Sequence, residues 1–353
     1  MIQEACLIPS PSLGDLAVHP VKKTGVRAVG LLSGGLDSTI AALVVRDLGV
    51  EVYGLCFALP WGCCSKEQAM EVARTLGIKF MVLQLDEAYL EMIKNPKYGR
   101  GRALNPCVDC RIHMFTKAKK YMEQIGADFC FTGEVLGQRP MSQMRHSLAT
   151  IEKQSGLTGR LLRPLSAQLL DPTIPEQEGL IDREKLLAIS GRGRKEQILL
   201  AEENGVRDYP NPAGGCLLTD ENFSRKMSDL LKHGYRNFRE AVTLKWGRHF
   251  RLSHDFKAIV GRNEEENETL RRFAHVNDII MELADKKGPT VILKGDKPGE
   301  ETLAFAAGLL KHYSRHKDKS TIEVEYRSAE GTEEIRKIMS AHVDESEIER
   351  FQI

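Results

Sequence analysis

Apolar and polar residues alternate in blocks along the first two thirds of the chain. Val26-Arg27-Ala28-Val29-Gly30-Leu31-Leu32 is a short, mostly apolar run that ends in Ser33-Gly34-Gly35, and helical spacing of apolar residues follows from Ser38 to Leu48. A second strand pattern covers Glu51–Phe57, and a helix pattern covers Ser65–Leu76. Phe80–Leu85 reads as a third strand, Cys107–Ile125 as a helix with one basic face, and Asp128–Thr132 as a fourth strand. Short apolar strands alternating with longer helices predict an α/β domain, a parallel sheet with helices on both faces.

Pro212-Ala213-Gly214-Gly215-Cys216 reads as a turn, and Glu221–Leu231 as a helix. Residues 232–262 are basic and aromatic, with Arg236, Arg239, Lys245, Arg248 and Arg262 interleaved with Tyr235, Phe238, Trp246 and Phe250. From Glu264 onward strand and helix patterns alternate to the end, which predicts a smaller α+β domain. The expected organisation is a Pro- and Ser-rich tail over 1–24, a main domain over 25–231, a basic linker over 232–246 and a carboxyl-terminal domain over 247–353.

A length of 353 residues agrees with about two domains. Fifty basic against 49 acidic residues leave a net charge of +1, so nucleic-acid contact has to come from a local basic face. No apolar run approaches the roughly 20 residues needed to cross a bilayer, and Met1–Pro20 lacks a basic-then-apolar signal pattern. A cytoplasmic protein without membrane contact is expected. In that reducing compartment the eight cysteines are not expected to form a disulfide framework.

The sharpest chemical signal is Ser33-Gly34-Gly35-Leu36-Asp37-Ser38, which lies between a strand and a helix. Two residues without Cβ let the backbone turn tightly and approach a ligand. Successive N–H groups and the positive end of the helix then converge on one spot, and Ser33 and Ser38 add hydroxyl donors. The result is a cradle for a phosphate group. Asp37 has two readings, as a catalytic or Mg2+-positioning carboxylate and as a simple helix cap. Neither a Walker-type Gly-Lys-Ser/Thr nor a Gly-x-Gly-x-x-Gly spacing occurs there.

Cys107 and Cys110 stand three residues apart at a helix start, on nearly the same face. Cys216 follows Gly214-Gly215, which allows close backbone approach. Three such thiols suit a 4Fe–4S cluster with one open iron. A catalytic pair, in which one cysteine carries a persulfide and the other releases it by forming a disulfide, is a second reading. Zinc and inert buried thiols are the others. Cys56 and Cys130 lie in apolar strands and read as core, and Cys6 has no evident partner. Cys63 and Cys64 follow the second strand, where loops at the carboxyl edge of a parallel sheet approach a ligand.

The six residues Ser33–Ser38 resemble the PP-loop of the ATP pyrophosphatases. Thr132-Gly133-Glu134-Val135-Leu136-Gly137-Gln138 and Leu162-Arg163-Pro164-Leu165 are similar to segments of the PP-loop domain of 4-thiouridine synthetases, and Asn105-Pro106-Cys107 to a segment of tRNA 2-thiouridylases. Cys107, Cys110 and Cys216 together resemble the cysteines of iron–sulfur-dependent tRNA thiolases. Lys257–Asn263, with Asn267 and Gly288–Ile292, resembles the NFACT-R RNA-binding domain family. No segment looks like a THUMP or rhodanese module.

The resemblance implies an adenine nucleotide α-hydrolase-like fold. It also implies an ATP-dependent tRNA sulfurtransferase that adenylates a base carbonyl and replaces its oxygen by sulfur. Ser33, Gly34, Gly35, Leu36, Asp37, Ser38, Phe57, Thr132 and Gly133 would bind ATP with Mg2+, and Arg139 and Arg163 would meet phosphate or RNA. Cys107, Cys110 and Cys216 would hold the cluster, and sulfide or an unidentified donor would supply sulfur. Two other functions fit the residues: adenylation of a small-molecule substrate, and a non-catalytic RNA-binding protein that uses ATP as a switch.

Overall fold

The structure, a computed structural model of the full chain, describes residues 24–62, 64–206, 215–235, 237–285, 287–331 and 334–353. Cys6, Cys63, Arg236 and the Pro212–Gly214 turn, together with nearly all of the expected tail, lie outside these residues.

Two compact units divide the chain, Met1–Thr219 and Asp220–Ile353. In the first, chain order is β1 (Arg27–Leu31), α1 (Leu36–Asp47), β2 (Glu51–Ala58), α2 (Lys66–Leu76), β3 (Lys79–Gln84), α3 (Glu87–Lys94), α4 (Cys107–Gln124) and β4 (Phe129–Thr132). There follow α5 (Arg145–Ser155), β5 (Leu161–Leu162), α6 (Ile174–Gln177) and α7 (Lys195–Glu203). The sheet has five strands in the order β3-β2-β1-β4-β5. Every pairing is parallel, with Gly30 opposite Gly54 and Leu31 opposite Thr132. This is the α/β architecture expected.

Local rules account for the elements. Ser65 caps α2 by accepting from the Gln68 amide at 3.2 Å, and Gly77 ends it in the left-handed region with φ of 63°. Helix α1 starts at Leu36, earlier than the expected Ser38, because the Thr39 amide already reaches the Gly35 carbonyl at 3.1 Å. The core gathers Ala28, Leu36, Ile40, Val52, Phe129 and Phe131 from strands and helix α1. Strand order changes direction on either side of β1. Loops after β1 and β4 therefore part at the carboxyl edge, where such sheets open a ligand crevice.

The second unit runs α8 (Glu221–His233), α9 (Phe238–Val242), β6 (Arg248–Arg251), β7 (Lys257–Val260), α10 (Glu264–Phe273), β8 (Ile279–Glu282) and β9 (Val291–Lys294). It ends with α11 (Glu300–His312), β10 (Glu323–Ser328), β11 (Arg336–Met339) and α12 (Glu345–Phe351). Its six strands lie in the order β11-β10-β8-β9-β7-β6, paired antiparallel. Successive residues alternate between faces. Val260, Met281 and Leu293 pack with Ala306 and Leu310 of α11, and Ile259, Ile280 and Ile292 pack with Leu270 of α10.

The division between units falls before α8, upstream of the expected linker at 232–246. Helix α8 buries Phe223, Met227 and Leu230. Its Asp229 binds Arg251 at 2.7 Å and Lys257 at 2.9 Å, both on the second sheet. Two cations from neighbouring strands tie the helix to the carboxyl-terminal unit, a pairing that local spacing does not encode. Among the described residues no helix is long and apolar enough to cross a membrane.

Candidate active site

A cavity of about 350 Å3 opens at the carboxyl edge of the parallel sheet, lined by Ser33, Gly35, Leu36, Asp37 and Ser38 from the turn after β1. Phe57 near the end of β2, Thr132 at the end of β4, Gly133 just after it, and Arg139 line it as well. The Ser33 and Ser38 hydroxyls lie 3.1 Å apart, Ser38 Oγ donates to the Gly35 carbonyl at 2.9 Å, and the Gly35 amide donates to Ser33 Oγ at 3.3 Å. These bonds close the turn on itself and leave the first amides of α1 facing the cavity.

Two glycines are sterically required. Gly34 has φ of 77°, and a Cβ there would stand 2.6 Å from Gln68 Cβ. It does not line the cavity; its part is to let the turn lie against α2. At Gly133 a Cβ would stand 2.5 Å from the Asp37 carbonyl and the Ser38 amide nitrogen. The β4 loop thus packs directly on the backbone of the phosphate turn.

Asp37 does not cap α1. The cap position is Gly35, without a side-chain bond. One carboxylate oxygen of Asp37 accepts from Gln138 Nε2 at 3.1 Å, and the other lies 3.8 Å from Arg194 Nε. That second oxygen is buried and has no hydrogen-bond partner.

Arg163 is corrected from a phosphate contact to a structural cation. It is buried, pairs with Glu134 at 3.3 Å and Glu152 at 3.0 Å, and donates to the Leu148 carbonyl. It does not reach the cavity. Glu134 is itself buried between Arg163 and Arg111.

Cys107, Cys110 and Cys216 do not line the cavity. Asp109 anchors the start of α4 by accepting from the amides of Lys97 at 2.9 Å and Tyr98 at 3.0 Å. Cys216 is brought in by two backbone bonds around it, Leu217 N–H to the Trp61 carbonyl at 2.9 Å and Leu104 N–H to the Leu218 carbonyl at 3.0 Å. The Tyr89 hydroxyl, on α3 and wholly buried, lies 3.0 Å from Cys110 Sγ. Burial pushes that hydroxyl well above its usual range, and the neighbouring Cys110 and Cys216 thiols push the same way. Cys107 instead donates to Asn105 Oδ1 at 3.1 Å.

Cys110 and Cys216 both stand near Tyr89, and Cys107 bonds Asn105. Among the described residues no three His, Cys, Asp or Glu side chains form a metal-holding group. A cluster or zinc ion on these thiols would require two of their present contacts to break. Cys107 would have to leave Asn105, and Cys110 would have to leave Tyr89. Cys56 and Cys130 are wholly buried, and burial pushes both thiols up to about 12. Cys64 lines the cavity, as its place after β2 suggested.

Sequence reasoning passed over Tyr89, Arg111, Arg192 and Arg194. Arg111, Arg192 and Arg194 line the cavity. The arginines interleaved with glycines in Gly191-Arg192-Gly193-Arg194 were a legible signal, since such a stretch suits phosphate contact. Tyr89 had none.

The sheet order, the phosphate turn at its switch point and the cavity beside it define a PP-loop nucleotide-binding domain of the HUP fold, followed by a separate antiparallel α+β domain. Residues 26–155 match the family described as tRNA methyl transferase HUP domain, and residues 247–352 match the NFACT protein RNA binding domain. The first match falls within the first unit and the second within the other, so each unit is similar to a different family. Similar curated proteins include the tRNA-specific 2-thiouridylase MnmA of Clostridioides difficile (strain 630), 29% identical over 233 residues and 59% of each chain. MnmA of Geobacter metallireducens (strain ATCC 53774 / DSM 7210 / GS-15) is 26% identical over 284 residues, 70% of this chain and 75% of that one. The chain spans 59% of the first of these relatives. A solved 4-thiouridine synthetase–RNA complex with bound ATP aligns with a TM-score of 0.37 at 22% identity, over 60% of this chain and 52% of that one, too low a likeness to carry an argument.

Proposed function

We propose that the protein is an ATP-dependent tRNA sulfurtransferase that makes a thiolated uridine or cytidine. One observation carries the reading. The helix that bears Cys107 and Cys110 also supplies Arg111 to the cavity behind the phosphate turn, so nucleotide and sulfur chemistry meet on the first turns of α4. ATP would lie in the cavity with its phosphates on the amides of Leu36–Ser38. Mg2+ arriving with it would be held by Asp37, whose buried Oδ1 lacks a hydrogen-bond partner, and would draw charge off the phosphates.

The carbonyl oxygen of the base attacks the α-phosphorus, pyrophosphate leaves, and the base is joined to AMP through that oxygen. Sulfur then attacks the same carbon, and AMP leaves with the oxygen. A base spread out of its stack is required for the carbonyl to reach the turn. Arg139, at the rim, suits the developing phosphate charge.

No step is routed through an iron–sulfur cluster, because the thiols do not converge as a ligand set. Their arrangement favours the pair Cys110 and Cys216. A persulfide placed on one of them by a sulfur donor attacks the adenylated carbon through its terminal sulfur. The other thiolate attacks the sulfur still joined to the protein, and the thiolated base leaves. The resulting disulfide needs a thiol reductant to reset it. The antiparallel unit, by its match to an RNA-binding domain, is assigned to holding the tRNA.

The test is pyrophosphate and AMP release on adding tRNA and a persulfide donor, with mass spectrometry of the nucleosides. Asp37→Ala is expected to abolish pyrophosphate release and AMP formation, and Cys110→Ala to abolish the thionucleoside while tRNA-dependent pyrophosphate release continues. Normal thiolation by Cys110→Ala rejects the sulfur assignment. Iron and sulfide counts after anaerobic purification are expected to be near zero. Stoichiometric iron restores Cys107, Cys110 and Cys216 as cluster ligands.

A further inference from the structure

We infer that Arg192 and Arg194 are the pyrophosphate clamp of this cavity, with Arg194 parked on Asp37 until the β- and γ-phosphates of a nucleotide take it. This deepens the ATP-dependent reading above and rests on it.

Both arginines line the cavity that the phosphate turn lines. Their loop is pinned to the segment after β4. The Gly191 amide donates to the Leu136 carbonyl at 2.8 Å, and Leu136 and Ser190 form a parallel bridge. Gln138, in that same segment, holds the other oxygen of Asp37. Placement of the arginines is therefore set by backbone bonds, not by long side chains alone.

The resting contact is unfinished. Arg194 Nε and Asp37 Oδ1 are both buried, lie 3.8 Å apart and have no hydrogen-bond partner. At that separation the pair has Coulomb attraction without a hydrogen bond. A buried donor and acceptor left in this state are costly. An incoming polyphosphate offers the guanidinium shorter, charge-assisted bonds, and it frees the carboxylate for the cation that accompanies the nucleotide. Completion of both groups by one ligand selects a triphosphate or pyrophosphate over a monophosphate.

The experiment uses the full chain with Mg2+ and measures binding of ATP, AMP and inorganic pyrophosphate by calorimetry. Arg194→Gln and Arg192→Gln are each expected to weaken ATP and pyrophosphate roughly tenfold or more, with AMP changed by less than about twofold. Arg194→Lys keeps the charge and is expected to lose less than Arg194→Gln, which gives a second reading if the glutamine variant does not fold. An unchanged ratio of ATP to AMP affinity, or an equal loss for both, overturns the clamp. Failure of the wild-type chain to bind ATP or AMP instead defeats the ATP-dependent reading, and pyrophosphate binding alone then decides the clamp.

Discussion

Gly133→Ala tests the coupling between the β4 loop and the phosphate turn. The added Cβ would stand 2.5 Å from the Asp37 carbonyl and the Ser38 amide nitrogen, whereas ordinary contacts begin at 3.4 Å. The neighbours are backbone and cannot swing aside. Thr132, one residue earlier, is held opposite Leu31 by the parallel pairing of β4 and β1. Most of the displacement, about 1 Å, has to fall on the first turn of α1, where the phosphate-facing amides lie. Overpacking of this kind costs about 1–3 kcal/mol, which lowers the unfolding temperature of a unit this size by roughly 2–4 °C per kcal/mol. A misplacement of ~1 Å in a catalytic frame costs on the order of a hundredfold in rate. Scanning calorimetry and tRNA-dependent AMP release on the same preparation are the assays. Wild-type ATP affinity together with wild-type AMP release would refute the idea that this contact sets the turn.

Tyr89→Phe removes the hydroxyl that lies 3.0 Å from Cys110 Sγ. With a single bond worth ~1 kcal/mol, thionucleoside yield is expected to fall about fivefold while ATP affinity holds; equal losses in both contradict the role. Arg163→Met removes one of the two cations on buried Glu134, leaving Arg111 at 3.2 Å, and is expected to cost ~1–3 kcal/mol in chemical unfolding, whereas lost activity at full stability would return Arg163 to the chemistry. His249 is wholly buried, and burial followed by the Lys257 and Lys226 cations holds it well below the usual histidine range. Only the unfolded chain then takes up its proton below about pH 6.5, so stability from this group is complete above that pH and falls by up to ~1.4 kcal/mol per unit below it. Trp246 fluorescence during acid unfolding should show this slope, and His249→Phe should flatten it.

The strand–turn–helix at Arg27–Asp47 was readable because everything it needs is local: an apolar run, two glycines and a helical repeat. The cavity residues Thr132 and Gly133 were readable from the resemblance of Thr132–Gln138 to a PP-loop domain segment. Side chains whose role depends on distant partners were not. Arg163 stands in a motif next to the site, yet Glu134 and Glu152 claim it from elsewhere in the chain. Helix α8 looks like the last helix of the first domain until Asp229 meets Arg251 and Lys257. The spacing of Cys107 and Cys110 announced a pair on one face, but Cys107 turns to Asn105 and Tyr89 stands beside Cys110.

Neighbouring residues on a helix diverge by about 100°. Arg111 and Cys110 accordingly look out on different sides of α4, the first toward the cavity and the second toward Tyr89. The Asp109 hooks on the amides of Lys97 and Tyr98 oppose any roll of that helix about its axis. In the sulfurtransferase reading, the traveller between activation and sulfuration is then the RNA base, and a waiting persulfide stays screened from bound ATP until that base arrives.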